Sequence, residues 1–343
     1  MDLGTCGPKS ALVSTCGEVV DCECEETPLI LLPGGGAEQS PDEWWGAIIR
    51  SSRRLLAKGL VSVDDIVAVC CTTQWSGTVA VDSDGNPLMN ALIWLDSRGS
   101  GCIREISGGL IKVKGYGVWK LLRWLGLAGG IPGHSGKDSI AHILYIKNEL
   151  PQIYRRTYKF LEPKDYINLC FTGKFAASFD SIALHWVTDN RDISQVVYDD
   201  RLLRMSTVDR GKLPDLRRAV DVLAPIRKEI AGELGLRSDV KVMMGTPDIH
   251  SAAIGSGAVG DYEGHLYIGT SSWLVCHVPF KKVDIFHNMA SLPSAIPGRY
   301  LLINEQETAG ACLTFLRDNI FYHRDELLGV GNARKLTLSP FSF

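Results

Sequence analysis

Residues 2–13 read Asp2-Leu3-Gly4-Thr5-Cys6-Gly7-Pro8-Lys9-Ser10-Ala11-Leu12-Val13, and residues 267–275 read Tyr267-Ile268-Gly269-Thr270-Ser271-Ser272-Trp273-Leu274-Val275. Each stretch is an apolar residue, a Gly-Thr turn, a few small residues and then a strand. The two copies lie about 265 residues apart, which predicts two related halves of one architecture rather than a chance echo. A Gly-Thr turn between two strands aims backbone N–H groups and a hydroxyl at one point, a small nest suited to phosphate oxygens. Taken singly, each turn also reads as an ordinary hairpin. The strand before the first turn is almost absent, which predicts an incomplete first strand.

Working outward, residues 1–24 read as a hairpin and residues 41–59 as an amphipathic helix. Pro41-Asp42-Glu43 opens that helix, Trp45, Ile48, Ile49 and Leu56 recur at helical spacing, and Gly59 follows its end. The run Ile66 to Cys71 is continuously apolar and predicts a buried strand. Val79–Asp82 and Ala91–Trp94 form a hairpin-like pair around Ser83–Asn86. Residues 99–136 are rich in glycine, broken by one short helix from Val118 to Leu125. Residues 138–150, 160–171 and 227–236 read as helices. Val240–Met244 is a buried strand that runs into Gly245-Thr246-Pro247-Asp248, and a small-residue helix follows, Ser251–Ala258.

Composition narrows the class. The chain has 343 residues, 45% of them hydrophobic, enough for an extensive core. Its 36 basic and 39 acidic residues give a formal charge of −3, so neither nucleic acid nor an anionic membrane is an expected partner. No run approaches a membrane span, and the N-terminus lacks a basic, apolar leader pattern. The ten cysteines include no CxxC pair. They read as reduced thiols, mostly buried, of a cytoplasmic protein.

Several residues stand where chemistry is done. Asp248 follows a buried strand near a helix start, where open α/β sheets place reactive groups and a carboxylate can take a proton from a hydroxyl. It also suits a helix cap. Asp2 precedes the first nest, where Mg²⁺ would have to separate it from phosphate; it reads equally as a solvated aspartate. Gln74-Trp75-Ser76-Gly77 ends another strand. Its Gln and Ser can bond sugar hydroxyls and Trp75 can face a sugar ring, or Trp75 can sit in the core. Asp96 and Arg98 add polar groups, or pair with each other. His250 is the histidine nearest a candidate site and reads as structural.

In combination these segments resemble the FGGY carbohydrate kinase family, its xylulokinase-like branch in particular. Asp2-Leu3-Gly4-Thr5 is similar to the family's first phosphate loop, with Lys9 at its usual lysine. Glu38-Gln39-Ser40-Pro41-Asp42-Glu43-Trp44-Trp45 resembles its Glu-Gln-x-Pro-x-x-Trp-Trp segment. Gln74-Trp75-Ser76-Gly77 falls where xylulokinases carry Gln-Met-His-Gly, and residues 91–98 resemble Ala-Ile-Leu-Trp-Asn-Asp-x-Arg. Pro163-Lys164-Asp165-Tyr166 and Thr172-Gly173-Lys174-Phe175 match Pro-Lys-Asp-Tyr and Thr-Gly-Glu-Phe. Gly245–Asp248 stands at Gly-Gly-Gly-Asp, Ile268–Ser271 at the second phosphate loop, and Pro297–Tyr300 and Ala309–Leu313 resemble segments of the second domain.

The resemblance implies an α/β protein of the actin-like (ribonuclease-H-like) ATPase fold. It would have a complete N-terminal sugar-binding domain over residues 1–252 and a partial nucleotide-binding domain over 253–343. It implies ATP-dependent phosphorylation of a ketopentose or related sugar or polyol, with Asp248 as catalytic base. Gln74, Trp75, Ser76, Asp96 and Arg98 would contact sugar. Gly4, Thr5, Lys9, Gly269, Thr270 and Ser271 would hold ATP phosphates, and Asp2 would serve Mg²⁺. A homodimer is compatible with it. Trp75-Ser76 and Ile249 depart from the family's polar sugar contacts. Members continue for roughly 150–200 further residues, about another domain, which carry the Gly-rich adenosine loop. The end at Phe343 therefore predicts a truncated product, and the alternative reading is an inactive homologue that at most binds sugar.

Overall fold

The computed structural model describes residues 1–269, 272–306 and 309–321. Strands β1 (Asp2–Gly4), β2 (Gly7–Val13) and β3 (Val19–Cys24) form an antiparallel meander. Helix α1 (Pro41–Ala57) covers it. Ser40 accepts from the Glu43 amide, Pro41 begins the first turn, and Asp42 and Glu43 face the positive helix end. Its buried face is Trp44, Ala47, Ile48, Ser51 and Leu55, with Ser51 bonded to Ser10 of β2 at 2.8 Å. The polar residues of β3 alternate toward the same helix, so Asp21 pairs with Lys58 and Glu23 with Arg54.

The next strands, β4 (Ala68–Val69) and β5 (Thr72–Thr73), are one extended run divided between two partners. β5 lies parallel to β1, and β4 lies parallel to a later strand. Downstream come β6 (Val79–Val81), α2 (Ser100–Ser107), α3 (Val118–Leu127), α4 (Ser139–Glu149), β7 (Lys159–Leu161) and α5 (Pro163–Thr172). Then follow β8 (Val222–Pro225), β9 (Lys241–Met243) and α6 (Asp248–Gly255). β9 pairs parallel with β4 and antiparallel with β8. The result is a mixed sheet in the order β3-β2-β1-(β5/β4)-β9-β8. Its three parallel members, β1, the β4–β5 run and β9, point their C-terminal ends to one edge. The chain closes with an antiparallel sheet in the order β10-β11-β13-β12, built from β10 (Gly264–Ile268), β11 (Ser272–Val278), β12 (Met289–Pro293) and β13 (Tyr300–Gln306).

Five expectations change. The run 66–71 is not continuously buried: Val69 and Cys71 are, while Val67 and Cys70 are exposed, because β4 alternates its faces. Residues 160–161 belong to β7, which pairs with β6, and the helix starts only at Pro163, whose ring suits a first helical position. α2 was hidden inside the glycine-rich stretch. The cysteines are all free thiols, but only Cys71 is buried; Cys6, Cys16, Cys22, Cys24, Cys70 and Cys312 are exposed. Val79–Asp82 and Ala91–Trp94 meet beside a single isolated bridge, Thr78 to Leu92, while the two strands find their main partners elsewhere.

The last sheet shares its core with the preceding chain. Val275, Leu292, Leu301 and Ile303 lie in one apolar cluster with Trp75, Trp124, Trp186 and Ile249. Hydrogen bonds cross the same contact, Ser291 to the Gly129 carbonyl at 2.9 Å and Lys281 to the α3 carbonyls of Gly126 and Leu127 at 2.6 and 2.9 Å. Leu301→Ala removes a fully buried side chain from this cluster and is expected to cost about 2–5 kcal/mol. Differential scanning calorimetry should show one cooperative transition moved down in temperature. A loss confined to a separate, earlier transition would show that the closing sheet packs independently.

Candidate functional site

Three loops leave the C-terminal edge of the parallel strands, the place where such sheets hold ligands. The first is the turn Gly4-Thr5-Cys6-Gly7 after β1. Gly7 sits at φ +132°, and a Cβ there would run into the Glu25 carbonyl, so only glycine closes the turn. The Thr5 hydroxyl donates to Gln74 Oε1 at 3.0 Å and accepts from Trp94 Nε1 at 2.9 Å. Gln74 Nε2 donates to Gln39 Oε1 at 2.7 Å, and Gln39 Nε2 returns to the Thr5 carbonyl at 2.8 Å. Thr5, Gln74 and Gln39 thus close a ring of hydrogen bonds. Gln74 and Gln39 are buried. Gln74, expected as a sugar contact, spends its amide on the turn after β1 and on Gln39. Gln39 is a member of the ring and Trp94 caps the Thr5 hydroxyl from outside it.

The second loop is Gln74–Gly77 after β5. Trp75 is not an open platform. It is 6% exposed, its indole donates to the Ser181 carbonyl at 2.9 Å, and its ring meets His250 edge-on at 5.1 Å. The core alternative for Trp75 is the one realised. Ser76 adopts φ +61°, an uncommon conformation for a residue with a Cβ, and its hydroxyl donates to the Lys137 carbonyl at 2.6 Å. The Gly77 amide donates to Glu162 Oε2 at 3.0 Å, and a Cβ on Gly77 would overlap Pro163. Glu162 is buried and also takes the Ser139 hydroxyl; burial lifts its carboxyl well above the usual carboxylate range.

Asp96 and Arg98 pair with each other. The guanidinium binds Asp96 at 2.6 Å and Glu38 at 2.6 Å and lies over the Tyr145 ring, while Asp96 accepts from the Ala37 and Arg98 amides. The structural alternative is again the realised one. Both groups brace the strand edge beside Trp94.

The third loop joins β9 to α6. Gly245 takes φ +69°, because a Cβ would strike the Cys71 carbonyl. The Met244 carbonyl receives Lys164 Nζ at 2.9 Å and Asn168 Nδ2 at 2.7 Å. Lys164 is also paired with Asp165, which accepts from Ser181 at 2.5 Å. The Thr246 hydroxyl donates to Asp180. Asp248 itself is the first residue of α6 rather than its cap, which is Pro247. Burial first, then the nearby charges of Asp2 and Glu305, push its carboxyl up to about 7, against the pull of the Ile249 amide bonded at 2.9 Å.

Asp2 faces this group electrostatically and is half-exposed, with Lys9 at 3.6 Å. Asp138, which the sequence did not flag, holds the Gly133 amide at 2.6 Å and the Trp186 indole at 2.8 Å. Burial pushes it up to about 6, and Glu305 adds to the rise. Glu305 sits opposite Trp273 in β11, so the strand pair beginning at the second nest reaches toward Asp248. Gly269 follows β10, and its carbonyl accepts from the Gly310 amide at 2.7 Å. Thr270 and Ser271 lie outside the described residues.

Among the described residues no cluster of three His, Cys, Asp or Glu side chains is arranged to bind a metal on its own. Among the described residues no helix is long and apolar enough to cross a membrane.

Known proteins share this arrangement. The profile of the FGGY family of carbohydrate kinases, N-terminal domain, matches residues 1–255. A xylulose kinase of Staphylococcus epidermidis is 27% identical over 100% of this chain and 66% of its own length. One of Escherichia coli K12 is 27% identical over 91% of this chain and 61% of its own. The crystal structure of a ligand-bound xylulose kinase from Lactobacillus acidophilus superposes with a TM-score of 0.81 at 24% identity, covering 94% of this chain and 62% of that one. It shares the actin-like fold. The chain thus spans under two thirds of these relatives.

Two measurements check the geometry. Lys164→Met leaves Asp165 buried without its cation and should cost about 3–5 kcal/mol in urea unfolding. An unchanged midpoint would show that the pair does not hold the loop. For Asp248, the folded carboxyl keeps its proton to about pH 7, whereas the unfolded chain releases it near 3.9. The stability this confers is full below about pH 4 and is lost as pH rises through 7. Asp248→Asn does not titrate, so its Tm should match the parent at pH 4 and exceed it at pH 8. Parallel Tm curves across that range would contradict the raised carboxyl.

Proposed function

The chain belongs to the FGGY family of carbohydrate kinases, and from that membership we propose that it serves ATP-dependent phosphorylation of a ketopentose or related sugar or polyol, with Asp248 as the base. The observation that carries the reading is the Asp248 carboxyl, raised to about 7 at the end of a parallel strand. A base poised near the working pH balances availability against proton affinity. The names of the relatives, xylulose kinases, support the substrate class.

In this reading a sugar hydroxyl lies against Asp248. Its proton passes to the carboxylate as the oxygen attacks the γ-phosphorus of ATP, and the β–γ bridging oxygen leaves with ADP. Backbone amides of the Gly4–Gly7 turn and of the turn at Gly269 hold phosphate oxygens, and the Thr5–Gln74–Gln39 ring keeps the first turn in shape. Mg²⁺, when bound, would neutralise charge on the phosphates, with Asp2 holding it. The Ser76 turn, held by Lys137 and Glu162, borders the sugar. Residues 1–252 would form the sugar-binding domain and 253–343 part of the nucleotide-binding domain, a division supported by the family profile ending at residue 255.

Asp248→Asn should lower turnover by about 10²–10⁴-fold, while sugar affinity stays within about tenfold. A coupled ADP-release assay with D-xylulose, other ketopentoses and glycerol, paired with calorimetric sugar titration, reads both. Turnover near the parent's would sink Asp248 as base. Sugar binding without any turnover in the parent chain would favour a binding-only homologue.

A further inference from the structure

We propose that Asp180 is a positioning residue for Asp248, acting through the hydroxyl of Thr246; the inference rests on reading Asp248 as the base. Asp180 is fully buried just beyond the short strand Ala176–Ser178, and its Oδ2 accepts from Thr246. Thr246 stands two residues before Asp248. Upstream, backbone bonds fix the loop through Met244 to the Asp221 carbonyl at 2.9 Å and Gly245 to Ala219 at 3.0 Å. Downstream, Ser251 bonds to the Pro247 carbonyl at 3.0 Å within α6. Between these points Pro247 has no N–H to give, and the Thr246 side chain ties the segment to the body of the protein. The anchor is itself immobile: the next residue, Ser181, is bonded to the buried Lys164–Asp165 pair.

The choice of a carboxylate is the telling feature. Among the described residues, Asp180 Oδ1 has no hydrogen-bond partner, although it is buried. Leaving such an oxygen unpaired costs roughly 1–3 kcal/mol. An asparagine would accept from Thr246 without carrying an unpaired buried charge, so a purely structural position gains nothing from aspartate. What the carboxylate supplies is a charge-assisted bond, roughly twice as strong as a neutral one. That bond restrains the residue two places from a group that must meet a hydroxyl within hydrogen-bonding reach. Asp180 therefore trades stability for the placement of Asp248.

The test uses the 343-residue chain as parent and three variants, Asp180→Ala, Asp180→Asn and Thr246→Val. Hydrogen–deuterium exchange read by mass spectrometry should rise roughly tenfold in the 245–251 segment for Asp180→Ala and Thr246→Val, with α1 unchanged. Asp180→Asn should exchange at an intermediate rate and melt at the parent's temperature or above. In sugar phosphorylation, Asp180→Ala should lose roughly ten- to a hundredfold in kcat, with KM for sugar within about threefold and no further loss in an Asp248→Asn background. Unchanged exchange in 245–251 for both Asp180→Ala and Thr246→Val overturns the proposal. So does unchanged kcat in Asp180→Ala where Asp248→Asn is impaired. Parent-like turnover in Asp248→Asn would instead remove the base reading, and the exchange data then decide by themselves whether Asp180 holds the loop.

Discussion

The four residues Glu162-Pro163-Lys164-Asp165 hold two loops of the site at once. Glu162 reaches one way, to the Gly77 amide beside the strained Ser76. Lys164 reaches the other way, to the Met244 carbonyl at the foot of the Asp248 loop. Pro163 fills the space between and leaves no room for a Cβ on Gly77. An ammonium and two carboxyls taken out of water are costly unless each finds good partners. Here each does: Lys164 has Asp165 and a carbonyl, Asp165 has Ser181, and Glu162 has an amide and a hydroxyl. The polar interior is thus a frame that fixes the separation of two loops coming from different strands.

Charge is distributed unevenly around that frame. The structural acids are neutralised within the fold, Asp96 by Arg98, Asp165 by Lys164, Asp21 and Glu23 by the α1 cations. The acids facing the strand ends are held differently. Burial raises the carboxyls of Asp248 and Asp138, the charge of Glu305 adds to both, and that of Asp2 adds to Asp248. Raised carboxyls gathered on one edge mark the place where a proton is expected to be exchanged. Asp180, with one oxygen unpaired, belongs to the same pattern one layer deeper.

Much of this was legible in the residues. The β-turn-β at the N-terminus, α1 opening at Pro41, the strand before Gly245 and the helix after it all follow from local pattern. So does the post-strand position of Asp248. The ordered motifs identified the family before any contact was known. Boundaries failed where tertiary pairing overrode local pattern. Phe160 and Leu161 look helical in sequence, yet β6 offers them a strand partner. The apolar run 66–71 looks like a core strand, yet each half finds a different neighbour and turns alternate residues outward.

Side-chain roles divided along the same line. Sequence determined which residue types stand after which strand, because that depends only on order along the chain. It could not tell whether Gln74 faces a ligand or Gln39, whether Trp75 is a platform or a core ring, or whether Asp96 and Arg98 serve a sugar or each other. Most of the contacts that decide these join residues dozens of positions apart, from Thr5 and Gln74 to Glu162 and Gly77. Hydrogen-bond partners at such separations are set only when the sheet closes and burial leaves no water to satisfy a polar atom. The family was therefore written in the order of residues, whereas the division of labour among the side chains was decided by tertiary packing.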